Sequence, residues 1–326
     1  MEFAMRVTKN YAIIILVILT VLNLWGCSPG GEGKGVKSSP VIQFGTLPVI
    51  QALPLFVAAE KGYFKEAGIN VELVPFNSAM EKDVALSAGQ ISGYFGDMIT
   101  PMVLTANGTL VKIVATYFNA KNEQRMFAIL AAPKYPKKDL QGIAAAGIAC
   151  SSNTMLEYLM TKLLKKKGIA ADKINLIEVK SIPIRLQMLM SDQVPGAILP
   201  EPLVTLAEMK GARVMIDDSG TGISATVLVF NDQFIAKNPE IVKAFLKAVQ
   251  RANDFINQNP EQVRPIMNRE CKMPEPLQQS FTIPKFPKLN VPRTEEVMDI
   301  YTWLREKNVV KTEMTYGQFV AEGYVQ

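Results

Sequence analysis

Short apolar runs alternate along this chain with longer stretches whose apolar positions recur at helical spacing. Val41–Gly45 reads as a strand that stops at a glycine, and Ile50, Leu53, Pro54, Val57 and Ala58 then place one apolar face on a helix between Pro48 and Lys61. Gly62-Tyr63-Phe64 and Gly68-Ile69 close that unit, Val71–Val74 opens a second strand, and a helix over Met80–Ala88 leads into Gln90–Asp97. Strand and helix in strict alternation predict an α/β protein with a parallel sheet.

The same grammar then returns. Ile143–Ile148 is expected as a strand, Asn153–Lys167 as a helix ending in Gly168-Ile169, Ile174–Val179 as a strand and Ile182–Met190 as a helix. Gln193–Glu201 echoes Gln90–Asp97, with Gln193 for Gln90, Gly196 for Gly93 and an acid closing each. An ordered match of this kind predicts two lobes on one βαβαβ plan. Met126–Ala131 and Thr226–Phe230 are apolar runs of strand length that serve as crossovers, so lobe I takes 41–126 and 230–326 and lobe II takes 127–229. A long helix begins at Asn238-Pro239, the Pro-rich Phe281–Pro287 breaks the pattern, and a last amphipathic helix covers Thr294–Glu306, both helices being expected on lobe I.

Composition narrows the chemistry. With 326 residues, 48% of them hydrophobic, the chain suits two units at about 100–200 residues each. The net charge of +5 is scattered rather than striped, which argues against nucleic acid as a partner. There is no histidine, so Ser-His-Asp and Cys-His catalysis and His-bearing zinc sites are excluded, and neither metal nor cofactor is expected. Cys27, Cys150 and Cys271 are too widely spaced for a CxxC cluster. Cys150 and Cys271 fall in different lobes and are expected as free, buried thiols.

The N-terminus reads as an address. Arg6 and Lys9 precede an apolar run from Tyr11 to Leu22, short of a membrane span but right for a signal segment. Leu24-Trp25-Gly26-Cys27 resembles a bacterial lipoprotein box, although Trp25 replaces the usual small residue. That resemblance implies that 1–26 is removed and Cys27 acylated, holding the protein to the extracytoplasmic face of a cell membrane. Residues 27–40, rich in Gly, Ser and Lys, then form a flexible tether.

Ala58–Ile69 with Val71–Phe76, Leu86–Ile91 with Gly96-Asp97, Asp139–Gly142 and Glu201-Pro202-Leu203 resemble the solute-binding proteins of ABC importers, in the nitrate/sulfonate/taurine and thiamin-precursor group. The resemblance spans about 41–255. It implies a two-lobed, type II periplasmic-binding fold, each lobe a parallel-rich sheet flanked by helices and joined by two crossover strands. It further implies a non-catalytic monomer that closes on a small molecule and delivers it to a membrane permease. The implied ligand is a small organic anion or zwitterion of sulfonate or taurine type. A pyrimidine or other aromatic thiamin-precursor-like ligand is the alternative, and an enzyme on the same fold is disfavoured by the signal and the missing histidine. The fungal pyrimidine-synthase branch of the fold draws on its own histidine, so the chain is placed outside it. Leu199-Pro200 stand where many relatives carry an aromatic before Glu-Pro, which removes one stacking platform for a planar ring.

Ligands of open α/β sheets sit beyond the carboxyl ends of the strands. That rule selects Thr46, Leu47 and Gln51, then Asp97 and Met98, then Ser151, Ser152, Asn153 and Thr154, and finally Glu201. The Ser151–Thr154 run offers hydroxyls beside a helix N-terminus, suited to an anionic group, or it caps that helix. Asp97 and Glu201 suit a donor on the ligand, or they cap the helices that follow. Arg125 and Arg185 are expected as solvated or hinge-facing charges rather than anion partners, and Met188 and Met190 as core fillers. Mass spectrometry of membrane-extracted protein is expected to show an acylated Cys27 at the N-terminus; a chain intact from Met1 would remove the export argument.

Overall fold

The computed structural model of the protein describes residues 40–76, 78–118, 124–136, 139–223 and 226–325. The expected signal segment, Cys27 and nearly all of the tether lie outside the described residues. The first half runs β1 (Val41–Thr46), α1 (Leu53–Glu60), α2 (Tyr63–Glu66), β2 (Asn70–Pro75), α3 (Ala79–Ser87), β3 (Gly93–Gly96), α4 (Ile99–Ala106) and β4 (Val111–Phe118). Next come β5 (Phe127–Ala131), α5 (Leu140–Ala146), β6 (Ile148–Cys150), α6 (Met155–Lys166) and β7 (Leu176–Glu178), followed by α7 (Ile182–Met190), β8 (Gly196–Pro200), α8 (Leu203–Met209) and β9 (Arg213–Asp217). The chain returns through β10 (Thr226–Asn231), α9 (Asp232–Lys237), α10 (Pro239–Gln258), α11 (Pro260–Glu270), α12 (Thr294–Glu306) and α13 (Tyr316–Phe319).

Two five-stranded sheets result, ordered β2-β1-β3-β10-β4 and β7-β6-β8-β5-β9. In each, one strand is antiparallel to its neighbours, and it is the strand that arrives from the other half: β10 pairs antiparallel with β3 and β4, and β5 with β8 and β9. The glycines of the repeat explain themselves here. A Cβ on Gly93 would lie 2.5 Å from the Val229 carbonyl oxygen of β10, and one on Gly196 would lie 3.0 Å from the Leu130 oxygen of β5 and 2.7 Å from Ile143 Cγ2. Each glycine therefore clears the backbone of the incoming crossover strand, the close approach that only this residue permits.

One expected strand is corrected. Ile143–Ile148 is not a strand; its first part belongs to helix α5, and the strand begins only at Ile148. Asp139 caps α5 by accepting the Gly142 N–H at 2.6 Å, the three alanines 144–146 favour helix, and Gly147 at φ 140° ends it. β4 and β9, which the pattern reading did not single out, form the outer edges beside the two crossover strands.

Helices cover both faces of each sheet. On the first, α10 lays Val242, Phe245, Leu246 and Val249 against Phe44, Leu53 and Phe230, while α12 sets Val297, Ile300 and Leu304 with Ile99, Met102 and Ile113 on the other side. On the second, Leu159, Met160, Leu163 and Leu164 of α6 join Ile148 and Ile198, and Met188 and Met190 pack against the opposite face. Cys150 and Cys271 are buried and unbonded to one another, and burial pushes the Cys150 thiol up to about 12.

The two passages between the halves are sewn together by one carboxylate. Asp218, just past β9 and 1% exposed, accepts the N–H groups of Met126 at 2.8 Å and Phe127 at 3.0 Å, where β5 begins. Burial pushes its carboxyl up to about 6 even though these two bonds favour the charged form. The folded chain thus holds this proton more tightly than the unfolded chain, whose carboxyl titrates near 3.8. Stability is therefore expected to fall as pH rises from about 4 through about 6, by at most about 3 kcal/mol, and to level off above. Urea unfolding across that range should show the slope in the wild-type chain and lose it in Asp218→Asn.

Candidate functional site

The carboxyl ends of β1 and β3 meet at one edge of the first sheet. Thr46 ends β1 there, 1% exposed, with its hydroxyl reaching the Val74 carbonyl at 3.4 Å. Leu47 follows half-buried, and Gln51 is 5% exposed with a buried side-chain oxygen that finds no protein donor among the described residues. Asp97, beyond β3, accepts the Thr100 N–H at 2.8 Å and so caps α4, while Met98 is wholly buried. Capping is thus what the structure shows for one Asp97 oxygen.

A residue the sequence reasoning missed dominates this edge. Lys82 of α3 is 1% exposed; its Nζ donates to Asp83 at 2.7 Å and stands 3.4 Å from the centre of the Tyr94 ring. Gly45 makes room for it, since a Cβ there would meet Lys82 Cγ at 3.1 Å, and Gly96 gives room to the Tyr94 ring, which a Cβ would approach to 3.0 Å. Burial pulls the Lys82 ammonium below its ordinary range against the opposing charges of Asp83 and Asp97. Burial raises the Asp83 carboxyl, with Lys82 opposing and Asp97 adding to the rise. Lys82, Asp83 and Asp97 together leave this edge with one net negative charge when all are ionised. In the sequence, a lone Lys-Asp pair on an exposed-looking helix gave no sign of this; Gly45, near the end of β1, was the available signal.

At the second sheet, Ser151–Thr154 bridges β6 and α6. Thr154 occupies the N-cap position but its hydroxyl donates to the Ser151 carbonyl at 2.7 Å and makes no cap bond. Ser152 gives both its hydroxyl and its N–H to Glu178 at the end of β7, the N–H at 3.0 Å. Those bonds hold the Glu178 carboxyl below its usual range. Asn153 is exposed with φ 60°, and its N–H donates at 2.6 Å to Glu157 one turn into α6. The side chains of the loop therefore leave the first-turn amides of α6 uncapped.

Arg185 is a correction to the expected solvated or hinge-facing charge. It is fully buried, and all three of its bonds go to carbonyls: Val179 at 3.2 and 2.7 Å and Ile198 at 3.0 Å. Burial lowers its affinity for the proton, and Glu178 is the carboxylate whose charge opposes that effect. A guanidinium can satisfy several carbonyls at once, which is how this charge is held without a carboxylate partner in direct contact among the described residues. Arg125, a quarter exposed, instead joins Glu201 at 2.7 Å and Glu208. Glu201, 5% exposed, also accepts the Thr205 N–H at 3.0 Å and its hydroxyl at 2.9 Å, so both carboxylate oxygens serve α8 and Arg125.

The two edges are brought together. Met155 and Tyr158 of α6 share an apolar cluster with Met98, Ile99 and Met102, and Leu203 and Leu206 of α8 share another with Ile50 and Leu53. The candidates before β2 and after β3 thus face those after β6 and β8. Glu201 lies at this junction but inside a closed ion-pair network.

The profile of a family described as NMT1/THI5 like matches residues 50–263. Among curated proteins, the chain is 23% identical over 212 residues to a binding protein of Brucella abortus, covering 63% of each. It is 24% identical to 4-amino-5-hydroxymethyl-2-methylpyrimidine phosphate synthase of Aspergillus parasiticus, over 64% of this chain and 63% of that one. The chain thus spans less than two thirds of these two relatives, whereas it covers 75% of the riboflavin-binding protein RibY of Chloroflexus aurantiacus at 25% identity. Among solved structures, the periplasmic aliphatic sulphonate binding protein SsuA of Escherichia coli superposes with a TM-score of 0.74 at 16% identity, over 87% of this chain and 93% of that one. The nitrate-binding protein NrtA of Synechocystis gives 0.67 at 15%, over 85% and 83%. The architecture is that of the periplasmic-binding fold.

Removing the Lys82 charge isolates its role. Lys82→Met is expected to cost about 2–3 kcal/mol, below the value for a fully buried pair because Asp83 retains some exposure. Adding Asp83→Asn should recover part of that loss, and a double-mutant cycle by urea unfolding measures the coupling.

Proposed function

Because the chain belongs to the NMT1/THI5-like family, we propose that it is the extracytoplasmic solute-binding component of an ABC importer, anchored through acylated Cys27. It closes lobe I (41–126 with 230–326) on lobe II (127–229) around a small molecule and delivers it to a membrane permease. It works as a monomer and catalyses nothing. The observation that carries this reading is the facing of two strand-end edges, each bearing polar loops, across two crossover strands. A receptor needs its ligand to touch both lobes, since a ligand bound by one alone gives no reason to close.

The side-chain-uncapped amides of α6 on one side and the carboxylates of lobe I on the other favour a zwitterion or small organic anion of the sulfonate or taurine type. Lobe II offers the free first-turn amides of α6 at Ser151–Thr154 with the buried Arg185 nearby, a setting for an anionic group. Lobe I offers Thr46, Leu47, the unpartnered oxygen of Gln51, Asp97 beside Met98, and the Lys82–Asp83 pair, a setting for a donor such as an ammonium. Glu201 holds α8 and Arg125 in place rather than reaching the ligand. The synthases among the relatives raise the enzyme reading; no imidazole is available anywhere in this chain for acid–base work.

A thermal-shift series with taurine, ethanesulfonate, nitrate and an aminopyrimidine tests the reading. Taurine at about a hundred times its Kd should raise Tm by roughly 5–10 °C, with ethanesulfonate weaker. Ser152→Ala and Asn153→Ala should each weaken the shift, by about 1 kcal/mol or more in binding. A response to the pyrimidine alone would favour an aromatic ligand, and turnover of any of these compounds would overturn the receptor reading.

A further inference from the structure

Away from the strand-end loops, the two halves touch a second time. Helix α6 is rooted in the second sheet through Leu159, Met160, Leu163 and Leu164, and α12 is rooted in the first through Val297, Ile300 and Leu304. Across this seam Tyr158 donates its hydroxyl to Asp299 at 2.5 Å, and Lys162 donates to the same carboxylate at 2.5 and 2.7 Å. One helical turn further along α12, the Tyr158 ring meets Trp303 edge-on at 5.6 Å, and Lys307 pairs with Glu157 while its Nζ lies 5.1 Å from the Trp303 ring. Tyr158 and Trp303 are buried, whereas Asp299, Lys162 and Lys307 are partly exposed, so a small apolar contact carries a polar rim.

On its inner side the seam joins the apolar cluster that holds Met155 and Tyr158 with Met98 and Ile300, and its outer side is polar. A groove of about 740 Å³ opens beside it, lined by Lys162, Lys165, Asp299, Trp303 and Lys307 among others. The partners lie 137 to 150 residues apart on elements of different sheets, so any rotation of one half about the crossovers must pull them apart. Glu157 adds a link inward. One of its oxygens takes Lys307, and the other takes the Asn153 N–H in the strand-end loop.

We propose that Tyr158, Lys162 and Glu157 on α6 with Asp299, Trp303 and Lys307 on α12 form a latch that holds the two lobes closed and parts when they open. Through Glu157 the latch shares a residue with the Asn153 loop, so the state of one is felt by the other. Exposed ion pairs contribute little, and the bonds that matter are those of Tyr158 and Lys162 to the Asp299 carboxylate beside the Tyr158–Trp303 contact. Burial and the Asp299 charge both raise the Tyr158 hydroxyl above its ordinary range, so it stays a donor at physiological pH.

The latch rests on reading the two halves as moving lobes, and its test needs no ligand. The chain has two tryptophans, Trp25 and Trp303, so in a full-length Trp25→Phe background emission comes from Trp303 alone. Asp299→Ala and Tyr158→Phe should each shift the closed-to-open ratio about tenfold toward open, the size of one bond to a charged group. The readouts are a red shift and stronger acrylamide quenching of Trp303, with a larger radius of gyration by small-angle scattering. Circular dichroism confirms that each variant is folded, Lys243→Ala serves as a surface control, and the reversed pair Lys162→Asp with Asp299→Lys should recover only the Lys162 part of the shift, because position 299 then no longer accepts the Tyr158 hydroxyl. Unchanged quenching and radius in folded Asp299→Ala would overturn the latch and leave the receptor reading standing. A chain that opens as expected yet binds none of the solutes would do the reverse.

Discussion

Two strands enter the wrong half of the molecule, and the rest of the architecture follows from how they are received. β5 leaves the first sheet's sequence to lie antiparallel in the second, and β10 makes the reverse journey. Each inserts beside a strand that begins at a glycine, because any side chain at Gly93 or Gly196 would press on the carbonyl of the incoming strand. This exchange fixes the order of both sheets and turns their carboxyl edges toward one another. Asp218 reinforces it by bonding the start of β5 from just past the end of β9, tying the two connections to one another.

With the edges facing, electrostatics differentiates them. The first carries a buried ammonium held between a carboxylate and an aromatic face, with Asp97 tipping the balance negative. The second carries a buried guanidinium bonded to carbonyls and a helix whose first-turn amides have no side-chain cap. Burial weakens the charged form on each side, the condition under which a bound group of opposite sign gains most from pairing.

The contacts that join the halves differ in kind from those within them. Inside each half, helices bury continuous apolar faces against a sheet; between α6 and α12, one aromatic pair is rimmed by carboxylates and lysines and flanked by open space. Polar rims cost less to rehydrate than apolar cores, so a seam of this composition can separate without unfolding what it joins.

Local pattern was enough to determine the alternation of strand and helix, the internal repeat and the amphipathic C-terminal helices, because each depends on the spacing of apolar residues along the chain. The family resemblance on Ala58–Ile69 and Leu86–Ile91 likewise carried the fold. The strand-end rule located Thr46, Asp97 and Ser151–Thr154 at edges that the folded chain turns toward one another. Tertiary structure alone decided the rest. Lys82 and Arg185 look like solvated charges in one dimension, yet folding buries both: Gly45 and the Tyr94 ring are brought to Lys82 from other strands, and Arg185 turns inward onto the nearby carbonyls of Val179 and Ile198. Burial is a property of the assembled sheets, and the spacing of apolar residues along the chain does not encode which charges it will enclose.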